Sequence, residues 1–352
     1  MSFREQFSLV LGVVLCLASA HSPGMSLPWK NFDKNLQWEW ERAQERSPFD
    51  YHPSELEEVE KVHKAFGALY LKEGKKDEKE LPRPWSGYWY PFRSGEMFTG
   101  SQSPLAKLDS MLKNLGKASR IQATDAELYA SFPSDTWEGL CDSWAYASLS
   151  TVEPKRAVQY GGVVFSISDQ KALATRLHQG TPNNQYGTLY RGTVETDGTY
   201  QDLRPEAFHQ VMVSTIKAGN YFVIDDDAGI EVWSKPAYHF RYEVKKDPQR
   251  KDAYLVRTWL QVVSERKQET DLPTVLDDTA MKMYDYRLYF NREDESAEGY
   301  RIVAGEWLDD SFRSHPDAVF VPRISEIPVT KNTDLNRYRD EVMKILQAGT
   351  QR

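Results

Sequence analysis

Once an export signal is removed from this chain, Cys141 is the only cysteine left, so no internal disulfide can hold the fold together. The other cysteine, Cys16, lies inside an apolar run at 7–17 that follows Arg4 and precedes Ala18-Ser19-Ala20, a small-residue cleavage site. That run is well short of the ~20 residues needed to span a bilayer. Leu15 stands before Cys16, where lipid attachment favours a small residue. Stability must therefore come from a packed core. What remains is long enough for one large or two modest domains, each with a sizeable core. Net charge is −8, with no block of Lys and Arg. Nucleic-acid binding is thereby disfavoured, because it leaves a basic footprint. The expectation is an acidic globular protein, secreted, or periplasmic in a bacterium, and free of the membrane after signal cleavage.

The patterning divides the chain into 1–20 (signal), 21–81 (a charged, helix-like N-terminal region, a candidate pro-segment), 82–330 (the main domain, the candidate catalytic one) and 331–352 (a C-terminal helix and tail). Ser54-Glu55-Leu56-Glu57 has the form of a capping box and leads into Val59, Val62, His63, Phe66 and Leu69 at helical spacing. The mixed-charge run 72–80 reads as a solvated helix end or linker. Trp85, Tyr88 and Trp89 sit between Pro84 and Pro91, which excludes a regular helix there. Ser103-Pro104 opens a helix with Leu105, Leu108, Met111, Leu112 and Leu115 as its apolar stripe. Strand-like runs are expected at 163–167, 208–216, 221–224, 230–233, 238–244, 254–263, 284–290 and 300–307, with helices at 169–178 and 334–347. Helices early and strands late indicate an α+β fold.

Cys141 follows Gly139 at the start of a helix-like stretch carrying Trp144, Ala145 and Ala147. A lone cysteine in an exported chain is either a reactive thiol or a buried inert one. The helix-start position favours the reactive reading, because helix N-termini lower thiol pKa values. An unusually acidic thiol is therefore expected. Of the histidines, His209 stands at the entry to the run expected to be a central strand, and is the candidate base, with His178 and His315 behind it. Asp225 directly follows the apolar run at 221–224, and is the candidate to orient the imidazole, in competition with Asp226 and Asp227. Those three carboxylates alternatively form a solvated turn or a weak hard-cation site. Chain order Cys–His–Asp fits both papain-like hydrolases and acyl-transferring relatives. Trp137, the Cys141 backbone N–H and Trp144 are candidates to border an oxyanion site. Trp85, Tyr88 and Trp89 line either a dry acyl pocket or an aromatic core.

The segment Trp137-Glu138-Gly139-Leu140-Cys141-Asp142-Ser143-Trp144-Ala145, followed by Glu153-Pro154, resembles the active-site segment of the transglutaminase elicitor family. Ala207-Phe208-His209 resembles that family's histidine segment, and Val232-Trp233-Ser234-Lys235-Pro236 its Val-Trp-Asn-Gln-Pro segment. Arg204-Pro205-Glu206 departs from the family's Asn-Pro-Gly, and Ser234-Lys235 from its Asn-Gln. The resemblance implies a papain-like cysteine-protease architecture, with the nucleophile at a helix N-terminus packed against an antiparallel β-sheet. It further implies a Cys141–His209–Asp225 triad, acyl transfer from glutamine carboxamides to lysine or other amines, and a possible Ca²⁺ dependence. No other cofactor is required. The partners it implies are proteins with accessible glutamine and lysine. Two other readings use the same residues: a secreted cysteine protease or glutamine deamidase, and a non-enzymatic secreted recognition protein.

Overall fold

The computed structural model describes residues 53–130, 135–190, 203–226 and 229–351. The signal segment, His21, His52 and Asp227 lie outside the described residues. The described chain opens with α1 (Pro53–Phe66) and two strands, β1 (Tyr70–Leu71) and β2 (Lys76–Glu80). Helices α2 (Pro104–Asn114), α3 (Ile121–Ala130) and α4 (Cys141–Ser150) follow. Next come the pair β3 (Val158–Tyr160) and β4 (Val163–Phe165), helix α5 (Ile167–Leu177), strand β5 (Asn183–Gly187) and helix α6 (Pro205–Lys217). The main strands are β6 (Phe222–Asp225), β7 (Ser234–Lys246), β8 (Ala253–Val263), β9 (Thr279–Ser296) and β10 (Gly299–Trp307). A short α7 (Ser311–Ser314), β11 (Ala318–Pro322), α8 (Thr333–Arg337) and α9 (Arg339–Thr350) close the chain.

Apart from the separate β3–β4 pair, the strands build one antiparallel sheet in the order β1-β10-β9-β8-β7-β6-β11-β5, and β2 pairs with β7 beyond the end of β6. The architecture is therefore mixed helix and antiparallel sheet. Its helices are fixed locally. Ser103 accepts from the Ala106 N–H at 3.3 Å, with Pro104 in the first turn of α2. Ser166 and Asp169 close a capping box on α5.

Several elements differ from the sequence expectation. Residues 208–216 are not a strand but the body of α6. Pro205 starts this helix, and Phe208, Val211, Met212, Thr215 and Ile216 fall on one buried face at the helical period. The charged run 72–80 contains β2, whose polar side chains suit an edge strand. Residues 230–233 form no strand, and the C-terminal helix is split at Tyr338 into α8 and α9. That tail is tied to the body. Asn332 donates to Ile121 O at 2.9 Å and to Asp125 Oδ1 at 2.7 Å.

Candidate functional site

Cys141 is the first residue of α4 and is 7% exposed. The turn that presents it is moulded on the chain at 89–92. The Leu140 N–H donates to Trp89 O at 2.6 Å, and the Phe92 N–H donates to Glu138 O at 3.0 Å. Gly139 is required by this close approach, since a Cβ there would fall 2.8 Å from the Trp89 carbonyl oxygen and 2.5 Å from its ring. The Cys141 thiol donates to Val232 O at 3.4 Å.

Residues 231–233 close over the sulfur as a strap. The Trp233 N–H donates to Asp225 Oδ1 at 2.9 Å, and its indole N–H donates to Glu231 at 2.9 Å. The Trp233 ring meets Trp89 edge-on at 5.3 Å. Burial, and after it the Asp142 carboxylate, push the thiol up to about 12. Hydrogen bonds from Ser234 oppose that rise, and the Glu265 carboxylate adds to it. This corrects the expectation of an acidic thiol. The helix-terminus effect is worth typically 0.3–1 kcal/mol, too little to offset burial of the charged form.

Register places the other candidates. Asp225 pairs with Ser234 and Phe222 with Ala237. On the next strand Ala237 pairs with Val262 and Phe240 with Leu260, across a bulge between Ala237 and His239. Paired residues share a face and alternate along a strand. Ser234 and Asp225 therefore face one side, the side of Cys141, while Ala237, Phe240 and Tyr242 face the other. His209 lies against Tyr242, ring to ring at 4.6 Å, on that opposite side. The structure thus brings Cys141 and Asp225 to one face and does not bring His209 to them.

His209 is wholly buried on α6, not at a strand entry. Its Nδ1 lies 2.5 Å from Tyr286 OH, which in turn lies 2.7 Å from Thr258 Oγ1. Its Nε2 has no hydrogen-bond partner among the described residues. Burial first, then the Lys217 and Lys75 charges, lower its pKa to about 3. His178 and His315 stand elsewhere, with Nδ1 on Ala174 O at 2.8 Å and on Ser311 O at 3.0 Å.

Asp226 pairs with Lys235 and, at 2.6 Å, with Lys282. A carboxylate held by two lysines does not fit a calcium ligand. Among the described residues no group of three or more metal-ligating side chains occurs. Trp144 is fully buried, with its indole N–H lacking a hydrogen-bond partner among the described residues and its ring packed on Gly87. Trp85 is core as well, its indole N–H on Thr151 O at 3.1 Å. The sequence reading missed Ser234 and Glu265 as neighbours of the thiol. The pairing of Ser234 with Asp225 is what brings it there, and it is a register that sequence spacing alone does not set.

Residues 105–263 match the family described as Transglutaminase elicitor. The resemblance read from the motifs thus holds over the stretch that contains Cys141, His209 and Asp225. The chain is also similar in fold to a solved structure, "Crystal structure of the GP42 transglutaminase from Phytophthora sojae". The TM-score is 0.61 at 21% identity, over 83% of this chain and 97% of that one. No curated protein matches the chain. Among the described residues no helix is long and apolar enough to cross a membrane.

Proposed function

We propose that this chain, which carries a transglutaminase elicitor segment at 105–263, is a secreted acyltransferase of the transglutaminase type with Cys141 as its nucleophile. The observation that carries the reading is the placement of Cys141, a free cysteine, at the first residue of a helix inside the matched segment. In the reaction the sulfur loses its proton and bonds to the carboxamide carbon of a substrate glutamine. The carbon–nitrogen bond breaks and the departing nitrogen takes up a proton, leaving as ammonia. A lysine amine then attacks the thioester, the new amide forms, and the thiol is restored. Asp225, on the cysteine's own face of the sheet, is the nearer of the two remaining triad candidates. His209 acts as base only if the two faces are connected by a rearrangement, and its contacts support a packing role. The packing of the cysteine helix against an antiparallel sheet supports the papain-like comparison.

Mass spectrometry of substrate glutamines incubated with the protein and a primary amine tests this. Amine addition that disappears in Cys141→Ala is the expected result. Deamidation or backbone cleavage in its place means a hydrolase. Unchanged glutamines, with an intact fold, mean that the reading fails.

A specific observation favours a second reading, a non-enzymatic recognition protein. The thiol is closed under Val232 and protonated, and no described imidazole contacts it. Unchanged substrates under every condition would select it.

A further inference from the structure

Tyr90 has a backbone that few residues adopt. Its φ is +48°, the left-handed region that costs a non-glycine residue steric energy. Pro91 follows it, and a residue before proline is further restricted. Tyr90 is nonetheless 3% exposed, so the strain is held inside the molecule. Its flanking residues explain what the strain achieves. Trp89 O and the Phe92 N–H are the two groups that bond to Leu140 and Glu138. A left-handed residue between them bends the chain so that both meet the turn before Cys141.

The side chain holds the bend. The Tyr90 ring lies 4.9 Å from that of Tyr88. Its hydroxyl meets the Glu269 carboxyl and lies 3.4 Å from Ser168 O, at the start of α5. That loop is fixed to the same helix, with Asp271 Oδ1 accepting from the Ser168 N–H at 2.7 Å. On the reading of Cys141 as the reacting thiol, we propose that Tyr90 is a positioning residue, whose hydroxyl clamp holds a strained backbone as the mould for the Gly139–Cys141 turn.

Alkylation of Cys141 by iodoacetamide in the folded protein tests this without requiring turnover. Tyr90→Phe removes the hydroxyl and keeps the ring. Tyr90→Gly adopts the left-handed backbone freely but gives up the buried ring at a cost in Tm, so Tyr90→Phe is the guard against a variant that fails to fold. Both are expected to alkylate faster than wild type by about tenfold, the effect of one lost internal hydrogen bond on a local opening. The pH midpoint of alkylation should move down from about 12 as the thiol meets water, with Tm within about 2 °C of wild type in Tyr90→Phe. A general loss of stability would lower Tm and leave that midpoint where it was. Where transfer is measurable, kcat should fall and KM stay constant. Wild-type alkylation rate and midpoint in a folded Tyr90→Gly protein overturn the proposal. Altered alkylation in a chain that transfers no acyl group supports the positioning claim and counts against the enzymatic reading, so the two fail separately.

Discussion

At the residue scale, Cys141 and His209 are both governed by burial, with opposite signs. The thiol is held up at about 12, so its neutral form is the one the fold favours. That contribution is present below the ordinary thiol value near 9 and is lost as pH rises toward about 12. Native Cys141 should therefore alkylate slowly at neutral pH, and urea should accelerate it sharply; equal rates in folded and unfolded protein would contradict the closed strap. His209 is depressed to about 3 from its ordinary 6.5. Its contribution is fully present above about 6.5 and is lost as pH falls toward about 3. His178, lowered to about 4, acts in the same window. The urea midpoint should thus drop below pH 6, and His209→Gln should flatten that dependence while lowering stability at neutral pH. An unchanged profile in that variant would remove His209 as an acid-sensitive core residue. The helix-start position of Cys141 was legible because Gly139 and the small residues after it act locally. The face on which His209 lies was not, because chain order carries no information about the side of a sheet.

At the scale of elements, α6 shows how a β-branched run misleads. Val211, Val213, Thr215 and Ile216 suggest a strand by composition, but Pro205 at the start and the spacing of Phe208, Met212 and Ile216 impose the helical period. The strands β7, β8 and β9 were legible because each alternates more and less buried residues over a long stretch. Strands β5 and β11 were not, since each is short and β11 is a nearly continuous buried run. The strap at 231–233 belongs to this scale too. It forms no strand and is pinned by Asp225 through the Trp233 N–H, by the Asp226 N–H donating to Trp233 O at 2.9 Å, and by ring contact with Trp89. Trp233→Ala should loosen it. The expected outcome is a Tm lower by a few degrees, the effect of ~1–2 kcal/mol, together with faster alkylation of Cys141. Wild-type values for both would mean that the strap is held by its backbone alone.

At the scale of the whole molecule, the sheet is a partition. Helix α4 contacts β7 from the side of Ser234, and α6 covers the side of Tyr242. Residues 53–81 are part of that partition, because β1 extends the edge at β10 and β2 runs along β7. Four of their apolar residues are core. Val59, Val62, Leu69 and Leu71 are all under 9% exposed, and Phe66 packs on Tyr186 at 5.8 Å. Removing one such side chain costs typically 2–5 kcal/mol, while a whole domain is stable by only about 5–15 kcal/mol. Losing four of them along with two strands is a loss as large as that margin. A chain beginning at Pro82 is therefore expected to show no cooperative urea transition and no near-ultraviolet circular dichroism from its buried tyrosines and tryptophans. A cooperative transition at the wild-type midpoint would instead mark residues 53–81 as an appended module on a sheet that folds without them.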